Sequence, residues 1–186
     1  MTADDLNRIE KELSIKLPES YRRFMLAFPV PAFAGNHETE LWDDADALIK
    51  QNLELRKGIT FVRPWPPRFF ALGVDGGGSA TAIDLNEPST PIIWADRRHL
   101  DLALEAEKER DPSEPVPLFE DWVKEVIEGL HTEVIEQGLD PAHATPAELE
   151  ATRAASEKRG CVGLIVAPVV ITAAIVAVVS VTKGCK

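Results

Sequence analysis

Arg68-Phe69-Phe70-Ala71-Leu72-Gly73-Val74, Asp75-Gly76-Gly77-Gly78 and Ser79-Ala80-Thr81-Ala82-Ile83-Asp84-Leu85 follow one another without a break, and the fold turns on them. Two runs with strand character flank a segment of three consecutive glycines. Glycine adopts the positive φ of a tight turn at little steric cost, so the stretch predicts a β-hairpin. After a Pro/Ser/Thr turn, Pro91-Ile92-Ile93-Trp94-Ala95-Asp96 predicts a third strand. Three strands joined by short turns make an antiparallel meander.

Outward from the meander the period changes from two to that of a helix. Thr2 and Asp5 have the spacing of a capping pair, and Leu6, Ile9 and Leu13 form a stripe, which predicts a helix over 3–15. Pro18 suits a first helical position, and Tyr21, Phe24, Met25 and Phe28 line a second helix that Pro29 and Pro31 end. Asp43 to Lys57 predicts a third helix, stopped by Gly58. Beyond the meander, Leu100 to Arg110 predicts a charged helix. The stripe Leu118, Phe119, Trp122, Val123, Val126, Ile127 and Leu130 predicts another over 117–137. Residues 146–159 predict a polar helix whose main apolar residue is Leu149. The class is α+β: a small antiparallel meander sheet packed with N- and C-terminal helices, plus a C-terminal apolar helix. The organisation expected is a globular domain over 1–137, a polar helical spacer over 138–159 and an apolar tail over 160–186.

Composition agrees with one globular domain. Of 186 residues 45% are apolar and 27% charged, which excludes collagen-like and disordered chains. The net charge of −11 argues against nucleic acid, which needs a basic face, and favours a basic protein partner. All 31 acidic residues and 18 of the 20 basic ones precede residue 160.

The tail is of another kind. Val162 to Val181 spans 20 residues without a charge, among them eight Val, three Ile, one Leu and four Ala. That length matches a bilayer core, and Lys158, Arg159, Lys183 and Lys186 flank it. A buried strand pair is the competing reading, since Val and Ile favour strands, but no Asn-Gly or Asp-Gly turn divides the run. The expectation is a single-pass tail anchor over 162–181 in contact with membrane lipid. The polar start MTADDLNRIEKEL has no signal-peptide character, which puts the globular domain on the cytoplasmic side of the cell membrane; a wholly cytoplasmic protein is the alternative. Cys161 and Cys185, at the two ends of the tail, form no disulfide framework.

Chemistry-bearing patterns are sparse. Asp75-Gly76-Gly77-Gly78-Ser79 lacks the Gly-Lys-Ser/Thr ending of a phosphate loop, and a strand follows it, so it reads as a turn. Ser79 is outside any Gly-x-Ser-x-Gly elbow, and His37, His99, His131 and His143 are scattered. No catalytic constellation, metal site, cofactor or small-molecule substrate is expected. The four tryptophans say more. Trp94 and Trp122 sit in apolar patterns and are expected in the core. Trp42, beside Asp43 and Asp44, and Trp65, between prolines, are candidates to face a partner; packing over the helix–sheet seam is the alternative for both.

Four segments in this order carry a resemblance: Ile9-Glu10 with Leu17-Pro18-Glu19-Ser20-Tyr21-Arg22-Arg23-Phe24; Phe69 to Gly78; Ala82-Ile83-Asp84-Leu85 with Pro91 to Asp96; and Phe119-Glu120-Asp121-Trp122-Val123. Over about residues 3–130 the chain resembles the SUKH superfamily. Its bacterial members are mostly immunity proteins that neutralise toxins, and a fungal branch regulates cell-wall synthesis. Phe28-Pro29-Val30-Pro31 replaces the Asn-Gly usual after the second helix, and the family does not require a membrane tail. The resemblance implies a non-enzymatic protein that occludes a cognate toxin; a membrane-anchored scaffold or regulator of envelope synthesis is the other function it allows. The expected partner-binding face combines Trp42, Asp43, Asp44, Trp65, Asp75 and Asp96, which suits a basic target with an apolar centre.

Overall fold

The structure is a computed structural model that describes residues 1–156 except 38, 59–62, 76, 97–98, 110 and 112–114. Its elements are α1 (Ala3–Leu13), α2 (Glu19–Leu26), a 3-10 turn (Pro31–Phe33), α3 (Ala45–Lys57), β1 (Phe69–Val74), β2 (Ser79–Asp84), β3 (Ile92–Asp96), α4 (Leu100–Glu109) and α5 (Phe119–Glu136). Helices flank a three-stranded antiparallel sheet of order β1-β2-β3, as the α+β meander expectation requires.

Helix starts follow local chemistry. Thr2 Oγ1 accepts the Asp5 N–H at 3.2 Å, and Asp5 Oδ2 accepts the Thr2 N–H at 2.9 Å, completing a capping box. The Thr2 N–H and the Thr2 hydroxyl both donate to Asp5 Oδ2 and hold the Asp5 carboxyl below its ordinary range. α1 ends two residues sooner than predicted because Ser14 turns left-handed, at φ 52°. Pro18 is the N-cap of α2 rather than its first residue. α1 buries Leu6, Ile9 and Leu13. α5 buries Phe119, Trp122, Val123, Leu130 and Val134.

The core runs between the helices and the sheet. Tyr21 meets Phe70 edge-on with ring centroids 5.4 Å apart, and Phe119 at 5.7 Å. All six residues of β1 are buried, and β2 is buried except at Ser79. The hairpin is thus covered on both sides. In the hairpin turn Gly78 takes φ 89°, and the register shifts between Ala71 and Gly73, a bulge at Leu72. The Asn52 side chain joins α3 to β1 through Ala71. Arg56 joins the end of α1 to the approach to β1, donating to the Leu13 C=O at 2.5 Å and the Pro67 C=O at 3.0 Å. Burial lowers the pKa of that guanidinium.

The chain separates into two units, Met1–Pro146 and Ala147–Lys186. Gly138, at φ 75°, follows α5, and Asp140 accepts the Ala142 N–H in the next turn. In the second unit, residues 147–156 are helical and mostly exposed, with Leu149 buried. Among the described residues no helix is long and apolar enough to cross a membrane. The apolar helix expected over 162–181 lies outside the described residues, as do Cys161 and Cys185.

Candidate functional site

Trp42, with Asp43 and Asp44 next to it in the chain, is held against β1 at Leu72 and Gly73. A strap over 39–44 crosses the outer side of β1 there. Its Trp42 N–H donates to the Leu72 C=O at 2.9 Å, and the Trp42 indole Nε1–H donates to the Thr39 C=O at 2.8 Å. The strap lies so close that a Cβ on Gly73 would stand 2.7 Å from the Glu40 carbonyl and 2.9 Å from Trp42 Cδ1. Glycine is required here for close approach rather than for backbone freedom. Trp42 is only 8% exposed, and His37 packs on its ring at 4.9 Å.

Next to Trp42, both aspartates bond to the backbone. Asp43 Oδ1 accepts the Gly35 N–H at 2.8 Å. Asp44 is the N-cap of α3, its Oδ1 accepting the N–H groups of Asp46 (2.9 Å) and Ala47 (3.1 Å). Asp44 Oδ2 lies 3.4 Å from His37 Nε2. Both carboxylates are half-buried and keep one side towards solvent. Burial, with a smaller contribution from Asp43, raises the Tyr21 hydroxyl pKa far above its ordinary value.

Asp75 and Asp96 lie at the hairpin end of the sheet. Asp75 Oδ1 accepts the Ser79 N–H at 2.8 Å, and the Asp75 C=O accepts the Gly78 N–H at 3.0 Å. Ser79 is the register partner of Asp96 at the end of β3. Asp75 is thus a turn former, and Asp44 a helix cap; their charge is a second property of groups the fold already needs.

Trp42 and Trp65, candidates to face a partner, follow the packing alternative, and Trp94, expected in the core, is exposed. Trp65 is 3% exposed, and its N–H donates to the Leu55 C=O at 2.9 Å, near the C-terminus of α3. Asp44 caps the other end of that 13-residue helix, about 20 Å away. Trp65 is therefore a core residue at the opposite end of α3 from Asp44. Trp42 is likewise packed inward and supports the strap instead of presenting its ring. Trp94, expected in the core, is 43% exposed, while Trp122 is buried as expected. Trp94 shares a strand face with Ile92 and Asp96, and among the described residues β3 is the last strand of the sheet. Apolar neighbours in sequence hid this.

α2 and α5 border an open groove of about 320 Å³, lined by Phe24, Pro29, Phe119, Val123 and Ile127. Arg23 pairs with Glu120 across it at 3.0 Å. Among the described residues no group of three or more His, Cys, Asp or Glu is placed to hold a metal ion.

Residues 1–125 match the model of the SMI1 / KNR4 family (SUKH-1), and the chain belongs to that family. The family comprises immunity proteins and regulators, generally without enzymatic activity. No curated protein and no solved structure matches the chain.

Proposed function

We propose that this chain is an immunity protein that binds a basic bacterial toxin and neutralises it by covering its surface. Membership of the SMI1 / KNR4 family over residues 1–125 carries this reading. Charge supports it. The net charge of −11 gives fast encounter with a cationic partner; Asp75 and Asp96 lie at the hairpin end of the sheet, and Asp43 and Asp44 stand on the strap that crosses β1. Rigid strands that position charged loops suit a binding surface. Trp42 supports that face from beneath, and Trp65 takes no part in it.

The proposal includes a membrane tether through residues 162–181, with the globular domain on the cytoplasmic side. Twenty consecutive uncharged residues match the thickness of a bilayer core. Such a tether would hold the inhibitor where a toxin enters.

The test is to read the genes flanking this one and to co-express the chain with a toxin found among them; flanking genes that include no toxin count against the immunity reading. The full chain restores growth and co-purifies with the toxin. Growth arrest despite full expression of a folded chain rejects the immunity reading. Fractionation tests the tether separately: deletion of 160–186 moves the protein from membrane to soluble fraction, and an unchanged distribution rejects the anchor.

A further inference from the structure

Trp94 occupies a gap in the protection of the sheet edges. The outer side of β1 is bonded at Ala71 by Asn52 and at Leu72 by Trp42. The outer side of β3 is bonded at its start, where the Ile92 N–H donates to the Pro117 C=O at 2.9 Å and the Phe119 N–H donates to the Thr90 C=O at 3.0 Å. Backbone groups alternate sides along a strand, so Trp94 turns its N–H and C=O outward as Ile92 does. Among the described residues neither group of Trp94 takes a hydrogen bond. Proteins ordinarily blunt such an edge with charge, proline or a bulge. Here the residue on it is a tryptophan.

The surroundings are apolar too. Leu102, 63% exposed, lies on α4, which packs against β3. Val116 and Leu118, 40% and 37% exposed, lie on the segment that bridges Pro91. Open backbone groups beside an exposed aromatic ring are what strand addition uses: the backbone supplies hydrogen bonds, and the side chain supplies buried area.

Charge selects the occupant. Residues 96–109 carry five acidic residues against three basic ones, on a chain of net charge −11. A second copy would bring the same acidic surface to the contact and be repelled; a cationic segment would be drawn in. We infer that an extended segment of a positively charged partner protein pairs with β3 at Trp94, adding a strand to the meander with the indole packed across it. This rests on the immunity reading and names its mode of contact.

The experiment uses the purified full-length chain and an inactivated form of the toxin that it protects against in the co-expression test. In the complex, the Trp94 amide becomes protected from hydrogen exchange. Trp94→Ala and Trp94→Lys weaken binding about 10-fold or more, while Leu53→Lys, at an exposed apolar position on α3, leaves it unchanged. Circular dichroism verifies that each variant is folded. A complex that forms with Trp94 exchange and Trp94→Lys affinity unaltered overturns this inference and leaves the immunity reading standing. No complex with the wild-type chain overturns both. A free protein that already dimerises with Trp94 protected, and becomes monomeric as Trp94→Lys, assigns the edge to a second copy and also overturns the inference.

Discussion

The Asn52 carboxamide brackets the backbone of Ala71: Oδ1 accepts the Ala71 N–H at 2.9 Å, and Nδ2 donates to the Ala71 C=O at 3.0 Å. The same Nδ2 donates to the Leu48 C=O at 2.9 Å, within α3. Asn52 is 1% exposed. A buried side chain thus does for the outer edge of β1 what a neighbouring strand would do, and fixes the α3–β1 seam in the process.

Replacing Asn52 by Ala or Leu strands two buried backbone groups at once. Each unsatisfied group costs about 1 to 3 kcal/mol, so urea unfolding is expected to show a loss of about 2 to 6 kcal/mol. A loss under about 0.5 kcal/mol would mean that water reaches this edge.

Gly73→Ala sets a methyl group against the Glu40 carbonyl and the Trp42 ring. The strap has to lift, at a cost of about 1 to 3 kcal/mol. Amide chemical shifts of 39–44 are expected to move while those of α5 stay in place. A spectrum unchanged along the strap would contradict the close approach.

Asp44 carries two properties that substitution can separate. Asp44→Asn keeps a capping oxygen and loses the charge; Asp44→Ala loses both. Thermal unfolding is expected to leave the Asn variant close to wild type and to lower the Ala variant by about 1 kcal/mol. Toxin association slows in both if the charge acts at a distance. Equal melting of the two variants would remove the cap from the explanation of this residue.

Tyr21 is fully buried, and its hydroxyl finds no hydrogen-bond partner among the described residues. An unmet polar group in the core is destabilising, and the ring contacts with Phe70 and Phe119 do not need the oxygen. Tyr21→Phe is therefore expected to melt at the same temperature or higher. A clear drop in melting temperature would show that the hydroxyl is bonded after all, through an internal water.

The helices and the meander were legible because their signals are local. Thr2 with Asp5 predicts a cap, the triple glycine predicts a turn, and the α5 stripe predicts an apolar face. Exposure of the tryptophans was not legible, because it depends on partners far along the chain. Nothing near Trp65 says that it closes against the end of α3, and nothing near Trp94 says that β3 ends the sheet. Asn52 was passed over for the same reason: a polar residue within a helix pattern acquires meaning only when Ala71, 19 residues later, is brought beside it. Asp75 is legible as a turn residue from sequence alone, whereas the cap of α3 is Asp44, one residue after the start predicted at Asp43, and the neighbourhood of Asp75 with Asp96 needed the register of β2 against β3.

The uneven placement of the four tryptophans has an optical consequence. Trp42, Trp65 and Trp122 are at most 8% exposed, and Trp94 is 43% exposed. Under ultraviolet excitation the three interior indoles emit at short wavelength and are shielded from solutes, so collisional quenching reads Trp94 above the others. The negative surface sorts the quenchers: caesium is concentrated near the ring, iodide is held off, and neutral acrylamide is indifferent. Anything that settles on β3 removes the quenchable fraction of the emission, and the chain reports on that edge without a dye.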